Sequence, residues 1–286
     1  MVLISIDKTD EPCYGKRRKY ACGMKRKKGT NYGYRYASVA VSIAGINVTL
    51  FTMPMTEFTT NPEMLERLIT EARKYVDIRA LLIDREFSNS PCIKKLEELK
   101  VTYVTPVIEH QTEFLQSLRP PCKATMPLGS IKVPIIAMRD PDDPENMLYY
   151  ATNLDISVKS LERVIKIYRK RWIIENNFKS QKLVFLAKTY SVNIAIRYFL
   201  WILATLLHNA WVLCNFCATK AAKIKLCNRE RPLITAFEYM IKMKITFLSP
   251  LSNSLKGLPL LMAFAKEHLL KNPSDKEILL QYIMNI

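Results

Sequence analysis

Ala80–Phe87 reads ALLIDREF, a short apolar run that stops at an acid. Leu3–Asp7 repeats the pattern as LISID. Both runs are short and β-branched, so both read as buried strands, ending at Asp84 and Asp7. In an open α/β sheet, ligands collect beyond the carboxyl ends of the strands, and the two aspartates are expected to project towards one site. Working outward, Val2–Asp7 is a strand, and Tyr32–Ile43 with Ile46–Met53 reads as a hairpin pivoting near Gly45. Pro62–Tyr75 reads as a helix with Asn61 as N-cap and Pro62 in its first turn. Pro91–Leu99 reads as a second helix and Val101–Thr105 as a further strand. The predicted order is βββαβαβ.

Further on, Tyr168–Lys182 reads YRKRWIIENNFKSQK. On an ideal helix Tyr168, Arg171, Glu175 and Lys182 share one arc of roughly 60°. Ile165, Ile167, Trp172, Ile173 and Ile174 fall largely off it and are expected to anchor the helix. One carboxylate is thereby flanked by two cations and a phenol. A carboxylate that holds a divalent metal beside phosphate needs such company, because the cations grip phosphate oxygens while the acid grips the metal. The plainer alternative is a solvated face carrying an i,i+4 pair between Arg171 and Glu175.

The strand and helix order, followed by the Glu175 helix, is that of a ribonuclease-H-like domain. Asp7, Asp84 and Glu175 resemble the DDE triad of cut-and-paste transposases with that fold. The spacing Y-x2-R-x3-E-x6-K, met by Tyr168, Arg171, Glu175 and Lys182, resembles the signature of the insertion-sequence-4 type. DREF at 84–87 and YATNL at 150–154 are further matches, and the likeness runs from about Val2 to Lys188. The resemblance implies an α/β fold, with a ribonuclease-H-like mixed sheet flanked by helices, a short β-rich insertion and a helical carboxyl-terminal part. Residues 1–105 and 157–223 would form the two parts of the core, 106–156 the insertion and 224–286 the helical region. Relatives usually carry a longer amino-terminal region that binds element ends, whereas this sequence opens almost on its first strand.

The chemistry of a three-acid site stands without the family. Three carboxylates within about 5 Å repel by several kcal/mol per pair at an effective dielectric near 20, so they stay ionised together only beside cations. Two Mg2+ or Mn2+ ions suit oxygen-only ligands, and such a pair activates one oxygen and stabilises another in an in-line displacement. Asp7, Asp84 and Glu175 are the expected metal ligands, and Tyr168, Arg171 and Lys182 the expected DNA contacts.

Composition points the same way. The chain has 286 residues, 49% of them hydrophobic, and carries a net charge of +17. It is long enough for a full core and basic enough for a polyanionic partner. The densest cations are Lys16, Arg17, Arg18 and Lys19, then Lys25, Arg26, Lys27 and Lys28, punctuated by Gly15, Gly23 and Gly29. They read as a mobile loop near Asp7 that contacts the DNA backbone; a solubilising loop, or a nuclear import signal in a eukaryote, is the alternative.

Between Pro106 and Ile156 proline thickens, Ser130–Met138 and Met147–Thr152 read as strands, and Asp140, Asp142, Asp143 and Glu145 read as a solvated hairpin tip. Tyr198–Thr219 contains no Asp, Glu, Lys or Arg. Its length would span a bilayer, but mid-segment His208 and Asn209 and equally basic flanks favour a core helix. No cleavable signal peptide is visible. Seven cysteines, an odd number, indicate a reducing compartment. Cys214 and Cys217, with His208 and Cys227 nearby, read as buried thiols rather than a zinc site, because no second pair exists. His110 and His268 have no companions that suggest a triad. Asn228–Arg231 breaks the helical pattern, and Pro232–Met243 and Leu258–Leu270 read as amphipathic helices. Lys242, Lys244, Lys256, Lys266 and Lys271 suit DNA or a second subunit.

The resulting expectation is a DNA transposase core: double-stranded DNA as partner at element ends and target, a dimer when assembled on DNA, no membrane, and a cytoplasmic, nucleoid-associated place in a prokaryote. Its rivals are a non-catalytic transposase-derived DNA-binding protein and a stand-alone nuclease of the same fold.

Overall fold

The structure is a computed structural model. It describes residues 1–27, 29–43, 46–107, 112–221 and 234–240. Lys28, Gly45, His110, Asn228–Arg231, Cys227, His268, the predicted helix Leu258–Leu270 and Lys242, Lys244, Lys256, Lys266 and Lys271 lie outside the described residues. The polypeptide divides into two units. The first holds Met1–Ile43, Thr49–Phe178 and Tyr190–Tyr198, and the second holds Ala44–Val48, Lys179–Thr189 and the chain from Phe199 on.

A nine-stranded mixed sheet flanked by helices carries the first unit, as expected. Its strands are β1 (Val2–Pro12), β2 (Cys22–Lys27), β3 (Thr30–Ile43), β4 (Ile46–Met55), β5 (Ile78–Ile83), β6 (Tyr103–Pro106), β7 (Cys122–Leu128), β8 (Ile131–Arg139) and β9 (Met147–Thr152). They run in the order β2-β3-β1-β5-β6-β9-β8-β7, with β4 also paired to β3. β1, β5 and β6 are mutually parallel, and β3 runs antiparallel to β1. Ile4, Ser5 and Ile6 on β1 and Ala80–Ile83 on β5 are all buried, as strands covered on both faces must be. The strands between Cys122 and Thr152 continue this same sheet, because β9 pairs antiparallel with β6 and β8 with β9.

Two details of the sheet differ from the sequence reading. β1 does not end at Asp7 but runs on to Pro12, because β3 keeps pairing with it as far as Pro12 opposite Gly33. What stops near Asp7 is the parallel pairing with β5, whose last pair is Ile6 with Ile83. Residues 25–27 of the basic stretch are also not in a loop. Lys25, Arg26 and Lys27 sit on β2, an edge strand paired to β3 through Cys22–Gly33, Gly23–Tyr32 and Lys27–Thr30. Gly33 is required at that crossing, since a Cβ there would stand 2.7 Å from Met24 Sδ and 2.9 Å from the Glu11 carbonyl.

The helices α1 (Asn61–Arg73) and α2 (Ser90–Glu98) pack on one another. The α1 cap is Thr60, not Asn61: Thr60 Oγ1 accepts from Glu63 N while the Glu63 carboxylate accepts from Thr60 N, a reciprocal capping box. Met64, Leu65, Leu68, Ile69 and Ala72 form its buried stripe. Asn89 caps α2 by accepting from Cys92 N. Short α3 (Thr112–Ser117) precedes β7.

In the second unit, α6 (Ile194–Ala221, beginning in the first unit) is 28 residues long. By length and composition Ile194–Thr219 is apolar enough to cross a membrane. Trp201, Ala204 and His208 are buried, while Phe199, Leu206 and Leu213 are exposed. Cys214 and Cys217 are exposed as well, correcting the expectation of buried thiols: they continue the outward face that carries Leu213. Trp211 and Asn215 hydrogen-bond the Ile234 carbonyl, and Thr235 with Glu238 caps a helical turn at 236–240.

Candidate active site

Asp7 and Asp84 each follow the last paired residue of two parallel neighbours, Ile6 and Ile83. Adjacent strands lie roughly 5 Å apart, so register alone brings the two acids side by side. Each is aimed by the peptide that follows it: Asp7 Oδ1 accepts from Lys8 N at 2.7 Å and Asp84 Oδ1 from Arg85 N at 2.8 Å. The DREF turn is a single 3-10 turn, Arg85–Phe87, seated by fully buried Phe87. Thr105 of β6 donates to the Asp84 carbonyl at 3.0 Å and pins the turn from the other side.

The signature stretch is not one regular helix. It comprises α4 (Glu162–Tyr168), a 3-10 turn Arg169–Arg171, α5 (Trp172–Ser180) and a π-helical turn Gln181–Phe185. Val164 and Ile165 anchor α4 in a core with Leu82, Val104 and Tyr150. The tightened turn redistributes the predicted faces. Trp172, expected as an anchor, is 61% exposed, whereas Arg171 is buried at 7%. Three contacts hold the turn: Tyr168 packs on Tyr150 with ring centroids 5.0 Å apart, and Arg169 binds Asp142 and, at 3.4 Å, Asp140 of the acidic hairpin tip.

From this turn Arg171 reaches two of the three acids. Its Nη2 donates to Glu175 Oε1 at 2.5 Å and its Nη1 to Asp7 Oδ2 at 3.4 Å. The guanidinium stands 5.6 Å from the centre of the Tyr168 ring. Asp84 is close enough for its charge to act on Asp7, Arg171 and Tyr168. Burial pushes the Asp7 carboxyl up to about 7, and the neighbouring Asp84 adds to the rise, against the opposing pull of the Lys8 peptide and Arg171. Burial likewise raises the Tyr168 phenol above its ordinary value.

Asp7, Asp84, Tyr168, Arg171 and Glu175 therefore meet at one end of the parallel strands. Lys182 lies on the following π-helical turn, in the second unit. Lys16, Arg17, Arg18 and Lys19 are exposed on the bend after β1, Lys25 and Arg26 are exposed on β2, and Arg17 pairs with Glu57. The sequence reading missed Lys8, whose Nζ is 3.1 Å from Glu86 and 3.0 Å from Asn61 Oδ1. Its signal was a cation directly after one strand-end acid and an unexplained Glu in DREF. YATNL acquires a structural reason: Thr152 donates to the Tyr103 carbonyl, and Asn153 spans the Tyr103 N–H and the Val101 carbonyl, fixing the start of β6.

A protein-family model described as transposase DDE domain matches residues 2–210. The chain belongs to the transposase DDE-domain family. Among solved structures, the chain resembles the piggyBac transposase synaptic complex with hairpin DNA determined by cryo-EM, at a TM-score of 0.60 and 14% identity. That match covers 99% of this chain and 57% of the other, so the sequence spans little more than half of its structural neighbour. At that identity the likeness establishes the fold. No curated protein matched by sequence.

Proposed function

We propose that this transposase-family chain cuts DNA at the ends of a mobile element of the insertion-sequence-4 type and joins those ends to target DNA. The observation that carries this reading is the meeting of Asp7 and Glu175 on one guanidinium, with Asp84 beside Asp7 in strand register. Three hard oxygen acids from two strands and a helix are the donor set that Mg2+ or Mn2+ takes, so Asp7, Asp84 and Glu175 fit as its ligands. Bound there, the metal would supply the positive charge that activates an attacking oxygen and stabilises a leaving one.

The chain's own residues do the rest. Asp7 and Asp84 each accept a hydrogen bond from the peptide that follows, which orients these two strand-end acids before DNA arrives. Tyr168, Arg171 and Lys182 serve the phosphate backbone, since none is a hard anionic ligand at neutral pH. The exposed cations of the bend after β1 and of β2 extend that contact along the duplex. Assembly as a dimer on DNA, and a place in the cytoplasm at the nucleoid, belong to the same reading.

The test uses labelled DNA carrying the termini of the genomic element that encodes the chain, incubated with Mg2+ and a target plasmid, with cleavage and joining scored separately. Cleavage followed by joining is the expected result. Cleavage without joining would make the chain a nuclease, and binding without either would make it a DNA-binding relative.

A further inference from the structure

Two of the three acids meet on a cation of the protein's own, and the third, Asp84, is near enough for its charge to act on it. Arg171 is more than nine-tenths buried, and its guanidinium gives one nitrogen to Asp7 and another to Glu175. Among the described residues, no three His, Cys, Asp or Glu side chains stand close enough together to hold a metal ion. The third nitrogen, Nε, is buried and has no hydrogen-bond acceptor. A buried N–H without an acceptor is costly. Here it belongs to a residue whose planar fork matches two phosphate oxygens at once.

We propose that Arg171 is a built-in counter-ion that competes with the divalent cation for Asp7 and Glu175, so that metal binding is weak until a DNA phosphate draws Arg171 away. This inference rests on the reading of the three acids as metal ligands. A guanidinium and a divalent ion placed on the same two carboxylates repel each other strongly at short range in a partly buried site. A phosphodiester offers Arg171 an alternative anion and an acceptor for Nε. The exchange needs only a side-chain rotation, because the backbone of the 3-10 turn is held by Tyr168 on Tyr150 and by Arg169 on the hairpin tip. By linkage, whatever factor DNA adds to metal affinity, metal adds to DNA affinity. The consequence is a chain that carries little active metal while free, and loads it where a phosphate is already in place.

The experiment is a Mn2+ titration of the full chain, read as loss of the free-ion electron paramagnetic resonance signal, with and without a short duplex of arbitrary sequence. Wild type, R171Q and D7N are compared, with folding checked by circular dichroism. Without DNA, R171Q should bind Mn2+ roughly tenfold tighter than wild type, within the ordinary range of coupling between sites. The tightening that DNA produces in wild type should shrink in R171Q. D7N should lose Mn2+ binding in both conditions. If D7N loses it while R171Q binds no tighter than wild type, the competition is wrong and the metal site stands. If D7N binds as well as wild type, the metal-site reading fails and the competition with it. Should R171Q not fold, the Arg171 Nε–Hε resonance of the wild-type protein, assigned through R171K, replaces it. That resonance should shift during a Mg2+ titration with the midpoint of metal binding, and a resonance that stays in place would overturn the proposal.

Discussion

Lys8 and Glu86 are joined at 3.1 Å, one immediately after Asp7 on β1 and the other two residues beyond Asp84 on the DREF turn. The Lys8 side chain is only 12% exposed, stands 5.2 Å from the Phe87 ring centre and also donates to Asn61 Oδ1. One cation thus ties β1, the DREF turn and the first turn of α1 together around the two aspartates.

Replacing it should loosen their relative placement. K8M is expected to lower the rate of DNA cleavage by roughly tenfold, as small misplacements of reacting groups do, and stability by about 1–2 kcal/mol. K8R should recover most of both. Cleavage kinetics beside urea unfolding provide the check, and an unaltered cleavage rate in a folded K8M would remove the positioning role.

The cationic edge strand gives a second prediction. Lys25 and Arg26 are exposed on β2, whose place is fixed by backbone pairing to β3. K25A/R26A should therefore fold normally and bind all duplex sequences more weakly. If both contact phosphates, the log–log dependence of affinity on salt should flatten by up to about two units. An unchanged slope would move the DNA footprint off β2.

Much of the core was legible because it obeys strong local rules. LISID and ALLID are apolar runs stopped by acids, and Pro62 and Pro91 mark helix starts. β2 escaped because Cys22–Lys27 has neither apolar alternation nor a run: a cationic, glycine-containing edge strand is defined by its partner, not by its own pattern. Thr60 escaped as the α1 cap because Asn61, an equally good capping residue, stands beside it and is used by Lys8 instead. The stripe of Tyr168, Arg171 and Glu175 was legible as a neighbourhood, but an ideal helix does not foresee the 3-10 turn that buries Arg171 and exposes Trp172. Nor does spacing within one segment reveal that Arg171 also reaches Asp7, 164 residues away.

Arg197 supports a third prediction. Its guanidinium pairs with Glu11 at 2.7 Å, donates to the Ser191 carbonyl at 2.6 Å and lies 4.5 Å from the Tyr34 ring centre, with only 8% of its side chain exposed. R197M leaves partly buried Glu11 with the Tyr36 hydroxyl but without its cation, and should cost about 1.5–3 kcal/mol in urea unfolding. R197K should recover part of the loss, since it restores charge without the planar stack. A loss within experimental error of zero for R197M would show that Glu11 finds another partner.

His208 makes stability depend on pH. Burial holds its imidazole down to about 4, against an ordinary 6.5. Between these values the unfolded chain takes up a proton that the folded imidazole refuses, so stability is full above about pH 6.5, falls as pH drops and levels off below about 4, by at most about 3 kcal/mol. The glutamine in H208Q does not titrate there. The stability advantage of wild type over H208Q should shrink from pH 7 to pH 4, measured by unfolding at each pH, and a constant difference would place His208 in water.

The central claim is that Asp7, Asp84 and Glu175 form one metal-dependent site for phosphoryl transfer. Its most direct test compares the cleavage of labelled element-end DNA in Mg2+ by wild type, D7N, D84N and E175Q, each shown to be folded and to bind the same DNA. The account predicts that every variant loses at least roughly a thousandfold in cleavage rate while still binding DNA, because residues that act as one unit fail together. A folded variant of any of the three that cleaves within about tenfold of wild type would contradict it.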